Sequence, residues 1–547
     1  MMNEINSIVR ELLNKRGIST EEDILEFLSE KPKKTYDPFL LLNMEAGVDL
    51  ILSTIKNRDK ICIYGDYDAD GITSVAIMME ILSNLTDRLE YYIPSRFDEG
   101  YGLNKEAIQK IKNLGSKLII TVDCGSVSFE EVELAKELDL DIIITDHHNL
   151  TDKIPDCILI NPKQKNCKYP FKDLAGCGIA FKLAQAIQEK AELPKAVLSS
   201  VLDLVGIGTI GDIVPLIDEN RTLVKYGIKA INKSKRQGLV KLIKETGLKY
   251  GEINSESVAY VIVPHINSAG RISKPEIALE LLISKDFNPL MEAVNSLILS
   301  NKERKKLQEE AFLQCISLIE KFHLKDNFKI IFAEGVHEGI AGIVAGKIKD
   351  KYERPTIIIT KSGEYLKGTG RSVKNIDIYK ILKSVAELFE KFGGHSGACG
   401  FVMKSENLSQ LRYSLEKEVN DLHSKNNLLF SLEKVIDFEF IGKEIDDSLV
   451  KELEKLAPFG NSNEKPYFQI NHVEIKNILF MGADNKHLRF NSCCVDGAEM
   501  SCVLFNNAEK YSLDALKNKK VSICGYPNIN IWKGTEKIQF VVSEIKC

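Results

Sequence analysis

Between residues 60 and 150 the chain alternates short apolar runs with amphipathic stretches. Four runs are rich in β-branched or aromatic residues and are followed by polar or glycine-rich sequence, namely 60–64, 89–93, 118–122 and 141–145. Helix-like segments lie between them, for example 74–82 and 130–138. This alternation predicts βαβ units in a parallel sheet that is covered on both faces.

From residue 174 to about 288 the pattern is mainly helical, with a glycine-rich interruption at 206–216. Asn288 then has the character of an N-cap and Pro289 that of a first helical residue. Helix-compatible sequence continues to about residue 322, which predicts a helix ~50 Å long. Its middle, 301–310, is almost wholly polar, so we expect a solvated bridge between two domains.

A second αβ pattern runs from residue 328 to about 423, with strands expected at 329–332 and 356–360. The remaining sequence changes to short strands separated by turns, at 435–440, 473–478, 501–505, 521–526 and 538–542. Strands of this spacing are typical of a small β-barrel. We therefore expect a mixed α/β fold with two αβ domains, a long connecting helix and a C-terminal barrel.

Composition narrows the class of protein. The 547 residues exceed the length of one domain and suggest about three or four. No apolar run approaches the ~20 residues of a membrane span, and the charged N-terminus lacks the apolar core of a signal peptide. The 12 cysteines include no C-x-x-C pair. We expect a cytoplasmic protein with reduced thiols and no membrane association. A net charge of −5 disfavours non-specific coating of nucleic acid, but it leaves room for a local basic groove.

Acidic and imidazole side chains follow three of the expected strands. They are Asp66, Asp68 and Asp70 after the first, Asp123 after the third, and Asp146, His147 and His148 after the fourth. Ligand sites in open parallel sheets lie at the carboxyl ends of the strands, and carboxylates with imidazole suit Mn²⁺ or Mg²⁺. A further acid, Asp212, lies in the glycine-rich stretch. Each acid taken alone also fits a helix cap or a solvated turn.

Alternative chemistries can be compared with this pattern. A calcium loop counted from Asp66 would need Glu at position twelve, which is Ile77, so that reading is rejected. Neither a Gly-x-Ser-x-Gly motif nor a Walker lysine loop is present. Two ions that share carboxylates would activate water for phosphodiester hydrolysis, and this is the chemistry that the pattern favours.

The motifs GDYDADG, TVDCG, TDHH and GTIGDIVPL resemble those of the DHH phosphoesterase superfamily. Downstream stretches resemble the RecJ family of single-stranded-DNA-specific exonucleases within it: PHINSAGRI, EGIAGIVAGKI, KGTGRS, FGGHSGACG and APFGNSNEKPYF. The resemblance implies domains at 49–288 (DHH, catalytic), 289–326 (connecting helix), 327–428 (DHH-associated, substrate-binding) and 429–547 (OB-like, nucleic-acid-binding). Residues 1–48 match no motif, and we expect a helical segment that packs on the first domain.

The resemblance also implies roles for matched residues. Two divalent cations, Mn²⁺ or Mg²⁺, would be bound by Asp68, Asp70, Asp123, His147 and Asp212, with Asp123 as the bridge. Asp66 and His148 would orient ligands or contact the scissile phosphate, and Asp66 could serve the second ion. Many superfamily members have a metal-binding His at the position of Tyr64. Residues implied to contact the substrate and its terminal 5′ phosphate are Arg271, Arg371, Ser372, Gly393, Gly394 and His395. Candidate stacking platforms are Phe459, Tyr467, Phe468 and Trp532 beside Lys533.

The implied function is a metal-dependent 5′→3′ exonuclease that degrades single-stranded DNA to 5′-mononucleotides in DNA repair and recombination. Single-stranded DNA would be its substrate, and a single-strand-binding protein and a helicase are candidate partners of an expected monomer. Two alternatives stay open. One is a DHH-type phosphodiesterase that acts on short oligonucleotides or cyclic dinucleotides. The other is a non-catalytic replication scaffold.

Overall fold

The structure is a computed structural model that describes residues 5–97, 99–100, 102–426, 429–430, 434–482, 485–506, 508–511, 516, 520–532 and 534–546. The strands are β1 (Lys60–Gly65), β2 (Leu89–Tyr92), β3 (Ser116–Val122), β4 (Asp141–Thr145), β5 (Ile158–Ile160), β6 (Lys329–Phe332), β7 (Thr356–Ser362), β8 (Tyr365–Arg371), β9 (Phe389–His395), β10 (Ala398–Lys404), β11 (Phe438–Phe440), β12 (Phe468–Met481), β13 (His487–Cys493), β14 (Glu499–Leu504), β15 (Lys520–Trp532) and β16 (Thr535–Lys546).

The helices are α1 (Ser7–Lys15), α2 (Glu21–Leu28), α3 (Met44–Lys56), α4 (Ala69–Leu82), α5 (Lys105–Asn113), α6 (Phe129–Glu137), α7 (Gly176–Lys190), α8 (Ala196–Ser199), α9 (Leu202–Gly211), α10 (Asp218–Ile231), α11 (Gln237–Glu245), α12 (Ser255–Ser257), α13 (Val263–Ile272), α14 (Glu276–Ile283), α15 (Phe287–Leu318), α16 (Glu338–Tyr352), α17 (Ile378–Lys383), α18 (Leu408–Lys425) and α19 (Asp447–Glu454). Two π-helical segments, Val258–Ile262 and Ile319–His323, adjoin α13 and α15. No described helix combines the length and the apolar character that a bilayer crossing requires.

The first sheet has the strand order β2-β1-β3-β4-β5, and all its pairings are parallel. Apolar residues from α3, α4, α7 and α9 form the core on one face, and residues from α5 and α6 form the core on the other. The order reverses between β1 and β3, which is the place where ligands bind in such sheets. The predicted parallel sheet covered on both faces is confirmed.

The second sheet is mixed, with the order β6-β7-β8-β10-β9, and it is joined to the first domain by the 32-residue helix α15. This helix begins at Phe287 with Asp286 as its N-cap, so the prediction of Asn288 as N-cap was wrong by two residues. It is also less solvated than its sequence indicated. Asn301, Arg304 and Gln308 recur at helical spacing on a buried face of its polar middle, where they bond to one another.

The glycine-rich stretch was expected to interrupt the helical region, but Gly206 to Gly211 lie inside α9. The reason is close helix packing. A Cβ atom on Gly206 would lie 2.8 Å from the Cα atom of Gly227 on α10, which is too close for any side chain. Here glycine allows two helices to touch rather than ending one of them.

The C-terminal strands close into a barrel, because β12 pairs with both β13 and β15 and the remaining strands connect β13 to β15 through β14 and β16. The predicted arrangement of two αβ domains, a long helix and a C-terminal β-barrel is confirmed. Residues 1–48 follow the expectation only in part, since Leu41, Met44 and Val48 lie in the core of the first domain but α1 and α2 do not. Val9, Leu12 and Leu13 of α1 and Ile24 of α2 are buried in the barrel's core and not in that of the first domain.

The buried Arg221 of α10 joins three parts of the chain. Its guanidinium donates to the carbonyl oxygens of Phe27 (3.1 Å), Leu456 (3.0 Å) and Ala457 (2.9 Å), and its Cζ lies 3.7 Å from the centroid of the Phe27 ring. Burial lowers the pKa of Arg221 to about 9. Lys225, one helical turn further on, donates to the Phe27 carbonyl at the end of α2, where a cation complements the helix dipole.

We expect Arg221→Met to loosen the attachment of the N-terminal helices and the barrel to the first domain. Several buried carbonyl groups would lose a charged donor, so local opening should become easier by about 2–4 kcal/mol. Hydrogen exchange of the amides in α1, α2 and α19 measures this change. Lys233→Gln, an exposed cation just after α10, is the matched control. Equal exchange in both variants would contradict the role of Arg221.

Candidate active site

The acidic residues predicted from the sequence meet at the carboxyl ends of β1, β3 and β4, beside the reversal of strand order. Asp66 and Asp68 follow β1, Asp123 follows β3, and His147 comes two residues after β4. Asp212 arrives from a different element, as the C-cap of α9. Residues that follow three parallel strands therefore make up most of the cluster, and the end of α9 adds Asp212.

Backbone N–H groups hold two of the carboxylates in place. Asp68 is the N-cap of α4, and its Oδ1 accepts hydrogen bonds from the N–H groups of Asp70 (2.9 Å) and Gly71 (3.2 Å). The Asp70 carboxylate accepts hydrogen bonds from Gly176 (2.7 Å) and Cys177 (2.8 Å) in the first turn of α7. Helix N-termini favour negative charge, so two helix ends stabilise neighbouring carboxylates.

Asp123 is held in a left-handed backbone conformation, with a φ of 62°. Its N–H donates to the Thr145 carbonyl at the end of β4 (3.0 Å). A Cβ atom on Gly176 would lie 2.6 Å from the Asp123 Oδ1, so only glycine fits at the start of α7. Non-glycine residues rarely adopt a left-handed backbone, and those that do cluster at functional sites. At Asp123 this backbone sets the direction of the side chain.

The His147 imidazole faces three carboxylates. Its Nε2 lies 3.1 Å from Asp123 Oδ1, 3.5 Å from Asp212 Oδ2 and 4.0 Å from Asp70 Oδ2. Among the described residues, three groups have ligand atoms within 4.8 Å of one another. Two of them are Asp70, His147 and Asp212, and Asp66, Asp68 and Asp123; the third joins Asp146 and His148 to Asp123 and His147. The short distance between Asp123 and His147 places the first two groups side by side.

Several buried polar atoms in the cluster lack a hydrogen-bond partner within the described part of the chain. They are Asp66 Oδ1, His147 Nε2 and Asp212 Oδ2. Buried polar atoms are rarely left unsatisfied, and oxygen and imidazole ligands arranged in this way fit hard divalent cations. The residues present could therefore hold two such ions with Asp123 between them.

Burial and mutual repulsion shift the protonation of the cluster. Burial, together with the charges of neighbouring carboxylates, raises the pKa of Asp70 to about 6 and that of Asp212 to about 9. The same causes raise the pKa of Asp66 and of Asp123 well above the usual range. Burial lowers the pKa of His147 to about 3, so its ring is neutral and can act as a ligand.

Asp146 and His148 form a hydrogen-bonded pair next to Asp123 and His147. The Asp146 carboxylate accepts hydrogen bonds from the N–H groups of Ser126 (2.9 Å) and His147 (2.7 Å), and its Oδ1 lies 2.7 Å from His148 Nδ1. Burial opposes the charge on His148, but the bond to Asp146 and its charge raise the pKa of His148 to about 9. Asp146 is held by these contacts, and His148 is a half-exposed cation at neutral pH beside the cluster.

Tyr64, at the position where the resemblance implies a metal-binding His in many superfamily members, lies away from the cluster. Its hydroxyl donates to the Gly102 carbonyl (2.9 Å), and its ring stacks on Tyr92 with centroids 5.4 Å apart. The side chain belongs to the core on the second face of the sheet. Asp66, with a buried Oδ1, is the group beside Asp68 that is available to a cation instead.

The second sheet brings together the residues expected to contact the substrate. Arg371 ends β8 opposite Ala398 of β10, and Ala398 is in turn opposite His395 of β9, so Arg371 and His395 lie on the same face of the sheet. Gly393 and Gly394 precede His395 on the exposed edge strand. Ser372 directly follows Arg371, and its hydroxyl donates to the Ile376 carbonyl (2.6 Å).

Arginine side chains lie where the two αβ domains meet. Arg271 of α13 donates to the Gly339 carbonyl of α16 (2.9 Å), which links the first domain to the second. Burial and the charges of Arg96, Arg304 and Arg371 lower the pKa of Arg271 to about 10. Burial lowers the pKa of His395, and the charge of His148 across the cleft lowers it further. Cationic side chains from both αβ domains, Arg271 and Arg371, therefore lie near the acidic cluster.

The candidate stacking residues of the barrel differ in how far they are buried. Phe468 is fully buried in the barrel's core, so its assignment as a platform was wrong. Tyr467 is half-buried and lies 3.3 Å from Glu544 through its hydroxyl. Phe459 is half-buried beside the first domain. Lys533 and the side chain of Trp532 lie outside the described residues.

Sequence reasoning missed two residues at the site. Asn267 Oδ1 accepts a hydrogen bond from the Ala69 N–H (2.7 Å) and so caps α4 together with Asp68. Arg96, in the loop after β2, stacks on Tyr67 with its Cζ 5.3 Å from the ring centroid. Asn267 lies inside the quoted motif PHINSAGRI, so the motif could have indicated it. Arg96 lies in an irregular loop that carries no such signal.

Three family descriptions match successive parts of the chain. The DHH family, N-terminal domain, matches residues 60–209, the DHHA1 domain matches residues 325–421, and the RecJ OB domain matches residues 436–544. These ranges contain the parallel sheet, the mixed sheet and all of the barrel but the last two residues of β16.

Named relatives extend the similarity over the whole chain. The single-stranded-DNA-specific exonuclease RecJ of Bacillus subtilis is 36% identical over 99% of this chain and 68% of its own length. RecJ of Escherichia coli is 27% identical over 99% of this chain and 96% of its own length. The crystal structure of Thermus thermophilus RecJ in complex with Mn²⁺ superimposes with a TM-score of 0.84 at 25% identity, over 99% of this chain and 76% of that one. The chain therefore belongs to the RecJ family of single-stranded-DNA-specific exonucleases, within the DHH phosphoesterases.

Proposed function

We propose that the protein is a metal-dependent exonuclease that degrades single-stranded DNA from its 5′ end to 5′-mononucleotides, in DNA repair and recombination. The observation that carries this proposal is the pair of adjoining ligand groups, which lies near the arginines of both αβ domains. The chain also has the family's barrel. Solved structures of the Thermus thermophilus relative contain Mn²⁺ or Mg²⁺. We assign two such ions to this chain.

Two ions would have separate groups of ligands that share one residue. Asp70, His147 and Asp212 would hold one ion, and Asp66 with Asp68 would hold the other, with Asp123 contributing to both. When bound, such ions polarise a phosphoryl oxygen and lower the pKa of water. The backbone N–H groups in the first turns of α4 and α7 hold the carboxylates of Asp68 and Asp70 in the positions from which they would bind the ions.

Charged groups around the cluster would act on the phosphodiester. His148 stays protonated up to about pH 9 because of Asp146, so at neutral pH it can donate a hydrogen bond to a phosphate oxygen or a proton to the leaving oxygen. Arg271, Arg371, Ser372 and the Gly393–Gly394–His395 segment would bind the terminal 5′ phosphate. A guanidinium gives two parallel hydrogen bonds to a phosphate, which suits recognition of a chain end.

The barrel favours a long strand over the alternative substrates. Enzymes for dinucleotides need no separate nucleic-acid-binding domain, whereas barrels of this class bind single strands. The acidic ligands are all present, which a non-catalytic scaffold would not require. A monomer in the cytoplasm that works with a single-strand-binding protein and a helicase completes the proposal.

Digestion of a 5′-phosphorylated single strand, labelled separately at each end, tests the polarity. We expect mononucleotides to appear first from the 5′ end, only with Mn²⁺ or Mg²⁺, and more slowly from a 5′-hydroxyl strand, since the terminal phosphate is the proposed anchor. A blunt duplex is the control substrate. Release from the 3′ end first, or cleavage of dinucleotides alone, would contradict the proposal.

We expect Asp123→Asn to reduce hydrolysis by more than about 100-fold, because even partners that only orient a ligand cost up to that factor. Asn tolerates the left-handed backbone, so the fold should persist, as circular dichroism can check. Asp139→Asn is the matched control: Asp139 is also left-handed but is exposed, before β4. Near-normal activity of Asp123→Asn would contradict the assignment of the acidic cluster as the catalytic centre.

Cation binding should release protons and strengthen as the pH rises from 6 to 9. The pKa of Asp70 is raised to about 6 and that of Asp212 to about 9 in the metal-free protein, so both hold protons below those values and lose them above. Calorimetric Mn²⁺ titrations in buffers of different ionisation enthalpy measure the release. Asp212→Asn should release fewer protons at pH 8. A pH-independent affinity without proton release would count against these ligands.

A further inference from the structure

A buried thiol, that of Cys177 in the first turn of α7, adjoins the acidic cluster. Its Sγ lies 3.5 Å from the Val205 carbonyl oxygen and 3.4 Å from Thr209 Oγ1, both on α9. Asp212 is the C-cap of the same helix. The thiol therefore lies between the helix whose first turn binds the Asp70 carboxylate and the helix that supplies Asp212.

The Cys177 thiol and the Asp70 carboxylate meet at Gly208 of α9. A Cβ atom on Gly208 would lie 2.6 Å from Cys177 Sγ and 2.9 Å from Asp70 Oδ1. Because glycine leaves that space empty, α9 can approach both groups closely. Burial and the charge of Asp68 raise the pKa of Asp70, and a hydrogen bond from the Cys177 side chain opposes that rise.

The two carboxylate oxygens of Asp70 face different neighbours. Oδ2 accepts a hydrogen bond from the N–H of Gly176 (2.7 Å) and lies 4.0 Å from His147 Nε2. Oδ1 accepts a hydrogen bond from the N–H of Cys177 (2.8 Å) and faces Gly208. A further donor at Oδ1 would fix the rotation of the carboxylate, and with it the direction in which Oδ2 offers its lone pairs.

A thiol has one hydrogen to donate, and that of Cys177 has three acceptors within reach. They are the Val205 carbonyl oxygen, the Thr209 hydroxyl and the Asp70 carboxylate. The carboxylate is the strongest acceptor, since hydrogen bonds to ionised groups are roughly twice as strong as those between neutral groups. The Thr209 hydroxyl can itself donate to the sulfur, which leaves the thiol hydrogen to Asp70.

We propose that Cys177 is a positioning residue for Asp70: its thiol donates to Asp70 Oδ1 and keeps Oδ2 facing His147. The inference rests on the proposed function, because it takes Asp70, His147 and Asp212 to bind one divalent cation. A hydrogen-bond partner behind a metal ligand sets the orientation of that ligand, and its loss typically lowers metal affinity roughly 10- to 100-fold.

Calorimetric titration of the metal-free protein with Mn²⁺ tests this role. The wild type should show two binding events, and Asp212→Asn identifies the one to which Asp70 contributes. Cys177→Ala should weaken that event roughly 10- to 100-fold and leave the other nearly unchanged. Cys177→Val fills the space without a donor and should weaken it equally, whereas Cys177→Ser keeps a donor and should stay nearer to the wild type. Cys315→Ala, at a buried cysteine in a different core, is the matched control.

The S–H stretching band reports on the hydrogen bond itself. The difference between the infrared spectra of the wild type and Cys177→Ala isolates the band of this one thiol among the 12 cysteines. A stronger acceptor lowers the stretching frequency of its donor. Asp70→Asn replaces the ionised acceptor with a neutral one, so it should move the band of Cys177 to a higher frequency.

Three results would overturn the inference. Wild-type Mn²⁺ affinity in Cys177→Ala or in Cys177→Val would show that the thiol hydrogen is not needed. An S–H band that Asp70→Asn leaves in place would assign the hydrogen to a partner on α9. Equal weakening of both binding events in Cys177→Ala would mean that the thiol supports the fold and not one ligand. Failure of the wild-type protein to bind Mn²⁺ would instead overturn the proposed function.

Discussion

The crowding of like charges at one point is the constraint on which the rest of the structure depends. Asp66, Asp70 and Asp123 are almost fully buried around a common centre, and burial together with the charges of neighbouring carboxylates raises the pKa of each. Carboxylates placed in this way repel each other unless protons or cations lie between them. The fold offsets part of that repulsion with the N–H groups of two helix ends, and the left-handed backbone at Asp123 keeps its side chain among the others.

The surrounding domains answer this negative centre with positive charge. Arg271 and Arg371 come from different domains, and their positions relative to the cluster depend on α15, which spans from one sheet to the other. The buried face of that helix carries Asn301 and Arg304, so one element both sets the distance between the domains and contributes a guanidinium to the cleft. A bridge that was merely solvated would provide only the first of these.

Local patterns in the sequence were enough to place most of the site. Asp66, Asp123 and His147 follow apolar runs, and the carboxyl ends of parallel strands necessarily meet, so their convergence could be predicted from order alone. Asp212 was a weaker candidate, since an acid in a glycine-rich stretch also fits a cap or a turn, and its position depends on how α9 packs against α10. Arg96 depends on the path of an irregular loop, which no periodic pattern describes.

Predictions failed where distant contacts decide the outcome. The polar middle of α15 has no apolar stripe, yet its face toward α13 is buried because the polar side chains satisfy one another. Phe468 could not be told apart from an exposed ring, since alternate positions of a barrel strand differ only in which side faces inward. The N-terminal helices pack against the barrel, and nothing in their own sequence names that partner.

That last feature has a consequence for how the protein is made. Val9, Leu12 and Leu13 find their packing partners in strands that begin roughly 400 residues later, which at ~5–20 residues per second is a wait of about 20–80 s on the ribosome. During this interval the apolar face of α1 is exposed beside a first domain that can already fold. The apolar face of α1 is therefore open to aggregation until the barrel is made, and a shortened protein that lacks the barrel would be more soluble if α1 and α2 were removed with it.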